Sequence, residues 1–372
     1  MTGPLILLTA GGTGGHLFPA EALANALKAA GARVVLATDK RANAYAGSFP
    51  ADEIVEVPSA TPSGRSPLQM AKAALVLGRG TLAAMGSIRR LKPAIVVGFG
   101  GYPTVPPVVA ASFLGVPTVI HEANAVMGRA NRLLARRASV IATGFEVIKG
   151  VPAGVPGRTV HTGNPVRPAV LEAAKTGYPA LPADEILRIL VVGGSQGARV
   201  MSDVVPPAIE RLPSELRARV SVCQQARGED LERVRTHYGR LGLPFEAEPF
   251  FKDLPQRMAA AHLVVARSGA STVAELAVIG RPSILVPLPG ALDQDQAANA
   301  RTLGDRGAAI VLPQTDFTPE RLAQEITTFL REPDRLTRAA AAAHSASITN
   351  AAERLAQAVL QLASSDKKDK NP

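Results

Sequence analysis

The chain has 372 residues, of which 47% are hydrophobic and 19% are charged. This length suits two domains of ordinary size, and the composition excludes an intrinsically disordered chain. The formal net charge of +10 favours an anionic partner, either phosphate ligands or an anionic bilayer; the alternative is a basic surface that serves solubility. Nucleic acid is not expected as a partner, because the chain has no Trp, 4% aromatic residues and no zinc-finger or RNP spacing.

Cys223 is the only cysteine, which excludes an intramolecular disulfide and fits a reducing cytosol. The first ten residues lack a basic segment, so no secretory signal is predicted. The longest uncharged stretch, 94–120, contains four prolines and four glycines. Those breaks would leave backbone groups unpaired in lipid, so we predict two buried strands and a glycine loop there rather than a transmembrane helix.

Short apolar runs alternate with helical patterns and predict parallel sheets covered by helices. The predicted elements of the first half are a strand at 5–9, a glycine loop at 11–16, a helix at about 18–30 and strands at 33–37, 95–97, 118–120 and 140–142. The pattern restarts with a strand at 188–192 and a glycine loop at 193–198, followed by strands at 220–223, 263–266, 283–286 and 309–311 and a helical pattern at about 339–362.

The repeated strand, glycine loop and helix predict two doubly wound, Rossmann-like α/β domains that face a central cleft. The N-terminal domain is expected at 1–165 and the C-terminal domain at 166–344, because prolines at 163–168 break regular structure. A final helix is expected at about 345–363, and the polar tail 364–372 is expected to be disordered.

Both glycine loops lie where a strand gives way to a helix, and backbone amides there bind phosphate or diphosphate. A dinucleotide oxidoreductase is the obvious rival. Its glycine spacing fails, because Leu17 and Ser195 stand where glycines are needed, and Asp39 alone is weak evidence for ribose binding. The phosphate loop of nucleoside triphosphatases is absent from the sequence as well.

Seven segments then carry a family resemblance in the order GGTGGHLFPA, GFGGYPT, HEANAVMGRANR, TGNPVR, GGSQGAR, RSGASTVAEL and DQDQAANA. Together they resemble the MurG family of N-acetylglucosaminyltransferases, which convert lipid I to lipid II in peptidoglycan synthesis. The resemblance implies a GT-B fold, with the acceptor bound mainly by the first half and UDP-GlcNAc mainly by the second. It also implies that the last helix packs on the N-terminal domain, and that the C4 hydroxyl of the muramoyl sugar displaces UDP with inversion.

The resemblance implies a donor site made of Thr13, Gly14, Gly15, Asn124, Arg167, Ser195, Gln196, Gly197, Phe251, Ala270, Ser271, Glu275 and Gln296. Arg167 is the candidate diphosphate contact, or else half of a hinge salt bridge. Glu275 is the candidate ribose ligand, or else only stabilises its helix dipole. The backbone at Phe251 matches the uracil contact, and Gln296 matches a contact to the GlcNAc hydroxyls.

The acceptor diphosphate is assigned, in the same way, to Gly14, Gly15, Gly100, Gly101 and Tyr102. His16 matches the candidate general base of the family, and the alternative is a loop histidine that only positions phosphate or backbone. Glu122 is a second candidate base, or else it orients its loop. Two positions depart from the family pattern: Ala123 replaces the usual Gln, and Asp295 replaces a Gln or His.

No cofactor and no protein-bound metal is expected. Asp293 and Asp295 offer an alternative Mg²⁺ site, because two carboxylates two residues apart can bind that ion. Arg167 and the glycine loops already compensate the negative charge of the diphosphate, which makes a metal unnecessary.

The helical stretch 68–92 carries apolar residues with basic residues among them, and predicts a patch that rests on an anionic membrane. The patch is predicted at Leu68, Lys72, Leu75, Arg79, Leu82 and Arg89. The alternative is a helix that buries its apolar stripe in the core. With the family resemblance, this places the chain at the cytoplasmic face of the plasma (inner) membrane, as a peripheral protein that meets other cell-wall enzymes.

The predicted function is therefore an inverting transfer of GlcNAc from UDP-GlcNAc to lipid I. The alternatives are a GT-B glycosyltransferase acting on another lipid acceptor, such as a diacylglycerol, a UDP-GlcNAc 2-epimerase, and a non-catalytic nucleotide-binding module. Incubation with UDP-GlcNAc alone separates an epimerase from a transferase.

Overall fold

The structure, a computed structural model, describes residues 3–11, 14–39, 49–60, 66–155, 157–182, 184–194, 197–290 and 294–369; side chains are not described at 67, 68 and 366–369. Two compact units divide the chain. The first is Met1–Arg167 with Asn350–Pro372, and the second is Pro168–Thr349.

A parallel sheet forms the centre of the first unit, and its seven described strands run in the order β3-β2-β1-β4-β5-β6-β7. The described elements of this unit are β1 (Leu5–Thr9), α1 (Gly14–Ala29), β2 (Arg33–Thr38), β3 (Glu53–Glu56), α2 (Pro67–Leu91), β4 (Ile95–Gly98), α3 (Val105–Phe113), β5 (Thr118–Glu122), α4 (Arg129–Leu134), β6 (Val140–Thr143), β7 (Arg158–His161) and α14 (Ala351–Asp369). The strand order reverses between β1 and β4, and ligands of open parallel sheets bind at that reversal, beyond the carboxyl ends of the strands.

Side chains of β1 alternate between two hydrophobic cores, as a strand buried on both faces requires. Ile6 and Leu8 pack on one face of the sheet with α1 and with Leu355 and Val359 of α14. Leu5 and its alternating partners pack on the other face with residues of α2, α3 and α4. The final helix of the chain is thus part of the core of the first unit.

The second unit repeats this plan with a parallel sheet whose six described strands run in the order β10-β9-β8-β11-β12-β13. Its described elements are α5 (Pro168–Ala174), β8 (Leu187–Val192), α6 (Arg199–Glu210), α7 (Ser214–Arg217), β9 (Val220–Gln225), α8 (Gly228–Leu241), β10 (Phe245–Glu248), α9 (Leu254–Ala260), β11 (Leu263–Ala266), α10 (Ala270–Ile279), β12 (Ser283–Leu285), α11 (Asp295–Gly304), β13 (Ala309–Val311), α12 (Pro319–Arg331) and α13 (Asp334–Ser345). The order reverses between β8 and β11, so the loops after these strands mark the second ligand position.

The uncharged stretch 94–120 contains a helix that the sequence does not predict. Between the two expected strands, β4 and β5, lies the helix α3. Pro106 and Pro107 fall in its first turn. A proline is tolerated there because the first amides of a helix have no partner within the helix, so the prolines that argue against a long membrane helix still permit a short one.

The end of the chain also differs from the expectation. The single helical pattern predicted at 339–362 is two helices, α13 and α14, separated at 346–350. The prediction that the tail is disordered from residue 364 onward is wrong for its first part, since α14 continues to Asp369. Residues 370–372 lie outside the described residues. Within this extension, the hydroxyls of Ser364 and Ser365 donate hydrogen bonds to the carbonyls of Leu360 and Gln361, one helical turn earlier.

Three glycines of α2 have different surroundings. A Cβ on Gly80 would lie 2.1 Å from the carbonyl oxygen of Pro58 and 3.2 Å from Cγ of Pro106, whereas Gly78 and Gly86 face open space. Gly80 therefore allows the helix to approach both the segment after β3 and the start of α3.

We expect Gly80→Ala to lower the free energy of unfolding by about 1–3 kcal/mol, because the added methyl group overlaps a backbone carbonyl. Gly78→Ala and Gly86→Ala are the matched controls in the same helix. They should raise stability by about 0.5–1 kcal/mol each, since alanine is the better helix former. Urea denaturation of the three variants measures this, and equal effects at all three positions would contradict the close approach.

Candidate functional site

His16 lies at the reversal point of the first sheet, in the first turn of α1 after β1. Its imidazole ring packs on the loop that follows β4. A Cβ on Gly100 would meet Cε1 of His16 at 3.3 Å, and one on Gly101 would meet Cδ2 at 3.3 Å. Both glycines have positive φ, so they permit the turn as well as the close approach. The structure thus brings together His16, Gly100 and Gly101, which the sequence assigns to catalysis and to the acceptor diphosphate.

Burial of the ring lowers the pKa of His16 below its ordinary value of 6.5, and a hydrogen bond with the backbone of Phe99 opposes this in part. The start of a helix also disfavours a cation. The imidazole is therefore neutral at pH 7 and is able to accept a proton.

Glu122 ends β5 and is 2% exposed. Its Oε1 accepts hydrogen bonds from the backbone and the side chain of Asn124, at 2.9 and 3.3 Å. Its Oε2 accepts from the amide of Gly128 and from Nδ2 of Asn131, both at 2.9 Å. Burial nevertheless raises the pKa of this carboxyl group. Because four donors occupy its two oxygens, the arrangement favours the loop-orienting alternative for Glu122 over the role of a base.

A second set of hydrogen bonds joins this loop to the segment 162–166. Nδ2 of Asn164 donates to the carbonyl of Ala123 at 2.8 Å. Nε2 of His121 lies 3.3 Å from the carbonyl of Gly163. His121 is fully buried, which lowers its pKa to about 4, so this ring is neutral as well. The two residues around Glu122, His121 and Ala123, are therefore both bonded to this segment.

Three other predicted residues of the first unit lie around the start of α1. Gly14 is buried and Gly15 is exposed in the first turn of the helix. The guanidinium of Arg167 lies 4.1 Å from the ring centroid of Phe18, a cation–π contact. Its charge also counters the burial that raises the pKa of Glu21. Tyr102 begins a single 3-10 turn after Gly101, and Thr13 lies outside the described residues.

In the second unit, the loop after β8 is described at Gly193, Gly194 and Gly197, and the predicted donor residues Ser195 and Gln196 lie outside the described residues. The amide of Gly197 donates to the carbonyl of Gly194 at 3.0 Å, which closes a turn before α6. The position suits the predicted role, since a turn between a strand and a helix offers amides to an anion.

The loop after β11 leads into α10, which carries three predicted donor residues: Ala270, Ser271 and Glu275. Glu275 is 6% exposed. Ser268 in this loop donates from Oγ to the carbonyl of Gln296 at 2.8 Å. Oε1 of Gln296 accepts from the amide of Leu288 at 3.1 Å. The structure thus brings the start of α11 next to the loop that precedes α10.

The loop after β10 contains Phe251, whose ring is 6% exposed. The guanidinium of Arg257 lies 4.4 Å from the centroid of this ring. Arg257 also pairs with Asp253 at 2.8 Å and with Glu246 at 2.5 Å. The same guanidinium that packs on the Phe251 ring is thus oriented by two carboxylates.

Comparison with known proteins decides the family. Residues 6–143 match the glycosyltransferase family 28 N-terminal domain, and residues 188–358 match the family 28 C-terminal domain. A protein of Methylobacterium sp. strain 4-46 is 67% identical over 361 residues, which is 97% of each chain. It is named UDP-N-acetylglucosamine–N-acetylmuramyl-(pentapeptide) pyrophosphoryl-undecaprenol N-acetylglucosamine transferase. A protein of the same name from Rhodopseudomonas palustris strain BisB18 is 58% identical over 97% of this chain and 96% of its own.

The solved structures agree with this match. The crystal structure of Acinetobacter baumannii MurG superimposes with a TM-score of 0.77 at 31% identity, over 96% of this chain and 100% of that one. The chain belongs to the MurG family. UDP-GlcNAc 2-epimerase from Neisseria meningitidis has a TM-score of 0.68 at 13% identity, over 96% of this chain and 100% of its own, and shares the fold alone. The predicted GT-B fold, two parallel-sheet α/β domains, is confirmed.

The membrane patch that the apolar and basic pattern of 68–92 predicts falls on α2. The side chain of Leu68 lies outside the described residues. Leu75 is 59% exposed and Leu82 is 70% exposed, and the basic residues Lys72, Arg79 and Arg89 are exposed too. The residues of α2 that face the core are instead Ala73, Gly80, Ala84 and Ile88. Among the described helices, none is long and apolar enough to cross a membrane.

Within the described part of the chain, no three His, Cys, Asp or Glu side chains form a group that can hold a metal ion. Asp293 lies outside the described residues, and Asp295 accepts from the amide of Gln296 at 2.8 Å. The absence of a cofactor and of a bound metal stays a prediction.

The sequence assigns no role to several residues that make buried polar contacts in the structure. Asn131 and Asn164 lie inside the quoted family segments and received no role there, although a polar amide among buried residues signals a structural hydrogen bond. Gln225 and Arg257 lie outside every quoted segment. Their contacts join parts of the chain that are distant in sequence, which no local pattern reveals.

We expect Glu122→Gln to lower the free energy of unfolding by about 1–3 kcal/mol, because the new NH2 group must face hydrogen-bond donors. Glu146→Gln, at an exposed position of the same unit, is the control and should change stability by less than about 0.5 kcal/mol. Urea denaturation measures both variants. Equal stability of the two would mean that the Glu122 carboxylate does not hold the loop.

Proposed function

We infer that this chain transfers GlcNAc from UDP-GlcNAc to the C4 hydroxyl of MurNAc in undecaprenyl-diphospho-MurNAc-pentapeptide, lipid I, to give lipid II for peptidoglycan synthesis. The observation that carries this function is the 67% identity, over 97% of both chains, to a transferase named for this reaction. The epimerase likeness, at 13% identity, extends to the fold and supports no activity.

The reaction is a displacement at the anomeric carbon. The C4 hydroxyl oxygen forms a bond to that carbon, the bond from the carbon to the diphosphate oxygen breaks, and UDP leaves with the bonding electrons. His16 takes the hydroxyl proton, a role supported by its neutral ring and by its contact with the glycines assigned to the acceptor diphosphate. Glu122 holds Asn124 in place through its four hydrogen bonds.

The negative charge that develops on UDP needs donors that are already in position. In the second unit these are the amides of the loop after β8 and the start of α6, with Ser195, Gln196 and Gly197. Glu275 accepts from the ribose hydroxyls, the backbone at Phe251 contacts uracil, and Gln296 contacts the GlcNAc hydroxyls. Arg167 adds its charge to the diphosphate. No metal is required.

The exposed face of α2 rests on the anionic cytoplasmic leaflet. Leu75 and Leu82 point away from the core, with Lys72, Arg79 and Arg89 beside them. An exposed apolar face with basic residues binds such a surface both by burying apolar area and by charge attraction. The lipid acceptor is embedded in the same membrane, so this contact places the enzyme where its substrate is.

We expect His16→Ala to lower kcat by about 100-fold or more, and the KM for UDP-GlcNAc to change less than about threefold, since a lost general base affects the chemical step. His161→Ala, in the same unit, is the control. In the parent enzyme, kcat should fall as pH drops through a pKa below 6.5, because the base acts in its neutral form. The rate of lipid II formation from lipid I and UDP-GlcNAc is measured for both variants and, across pH, for the parent enzyme.

Turnover close to that of the parent enzyme would leave His16 without a catalytic role. The function itself has a separate test in the same assay. Epimerised sugar nucleotide formed without any lipid acceptor, and no lipid II with lipid I present, would contradict the transferase and favour the epimerase.

We expect neutralisation of Lys72, Arg79 and Arg89 to glutamine to weaken binding to vesicles of phosphatidylglycerol and phosphatidylcholine by at least about 10-fold, since each basic residue near an anionic leaflet contributes about 1 kcal/mol. Three exposed arginines of the second unit, Arg240, Arg301 and Arg338, provide a control triple variant with the same loss of charge. Co-sedimentation measures both. Equal losses in the two triple variants would contradict a patch on α2.

A further inference from the structure

Gln225 is the last residue of β9, the strand that lies between β8 and β10 in the second sheet. The three strands are parallel, so their carboxyl ends meet at one edge of the sheet. The Gln225 side chain is 5% exposed. Its Oε1 accepts from the amide of Gly193 at 3.1 Å, and its Nε2 donates to the carbonyl of Pro249 at 3.3 Å. One side-chain amide therefore joins the loop after β8 to the loop after β10.

These two hydrogen bonds require a side chain as long as glutamine that ends in both an acceptor and a donor. A carboxylate accepts but does not donate, and a thioether of the same length does not replace either bond. Because the site is buried, a lost bond leaves a backbone group of Gly193 or Pro249 without its partner. The end of β9 is fixed to the same two loops by its next residues, since the amide of Ala226 donates to Glu248 and Arg227 contacts Gly197.

We propose that Gln225 is a positioning residue for the sugar-nucleotide donor: it holds the diphosphate-binding loop and the uracil-binding loop at the separation that UDP needs. The proposal rests on the proposed function, in which amides after β8 bind the diphosphate and the backbone at Phe251 contacts uracil. Gln225 acts through these loops and not by touching UDP. Loops that are already in position spare the nucleotide the cost of ordering them.

Gln224, the preceding residue, provides a matched control. It is also a buried glutamine of β9, but its Oε1 accepts from the hydroxyl of Tyr238 at 2.6 Å, on the core side of the strand. Both positions can be changed to methionine, so the two variants lose the same chemical group from the same strand. They differ in whether the lost bonds lead to the two loops.

Calorimetry on the full chain with UDP and with uridine tests the proposal, together with steady-state kinetics. Gln225→Met should raise the Kd for UDP and the KM for UDP-GlcNAc by roughly 10- to 30-fold, and kcat should change less than about threefold. The Kd for uridine, which engages only one of the two loops, should rise less than about threefold. Gln224→Met should bind UDP within about twofold of the parent chain while losing thermal stability.

If Gln225→Met does not fold, Gln225→Glu is the second variant that tests the proposal. It keeps the acceptor for Gly193 and loses the donor to Pro249, so its Kd for UDP should rise by roughly three- to 10-fold near neutral pH. UDP binding unchanged in the Gln225 variants would overturn the proposal, as would an equal loss in Gln224→Met. An equal loss for uridine and UDP would overturn it too, because only one loop would then be affected.

The proposed function fails in a different way. A parent chain that binds UDP but forms no lipid II contradicts the transfer to lipid I and leaves the loop spacing measurable. A parent chain with no affinity for UDP overturns both.

Discussion

The close packing of the His16 imidazole on Gly100 and Gly101 sets the geometry of the candidate site in the first unit. His16 and the loop at Gly100 and Gly101 come from either side of the point where the strand order reverses, between β1 and β4. Sheet topology brings the two loops together, and the missing side chains let them touch. A side chain at either glycine would require the imidazole to shift by a few tenths of an ångström, and the positive φ of both glycines disfavours other residues there.

Buried polar side chains then hold the loops at the carboxyl edges of both sheets. In the first unit this side chain is the Glu122 carboxylate, which accepts four hydrogen bonds, and in the second it is the Gln225 amide, which makes one bond to each side. Each is the last residue of its strand, β5 or β9. A side chain at that position reaches loops whose conformation hydrophobic packing does not determine. A hydrogen bond that is lost there leaves a buried polar group unpaired, which lowers stability.

The sequence predicts the parts of the fold that follow from local patterns. Buried strands such as 5–9 and 188–192 are mostly apolar, and the glycine loops after them mark the reversal points, so the doubly wound fold could be predicted. The edge strands β3 and β10 could not, because their exposed residues show no continuous apolar run. The helix α3 could not be predicted either, because its prolines argue against a helix. The contacts of Gln225 link segments that lie 24 and 32 residues away along the chain, and a single sequence does not reveal such pairs.

Burial lowers the pKa of both His16 and His121, and their exposure separates their roles. His121 is fully buried and its Nε2 faces the carbonyl of Gly163, so no substrate hydroxyl can reach it. His16 is only half-buried, at the start of a helix whose amides attract anions. The Glu122 carboxylate is occupied by its own loop. Of His16, His121 and Glu122, only His16 is partly exposed, and the helix start that suits a diphosphate also disfavours the charged form of its ring.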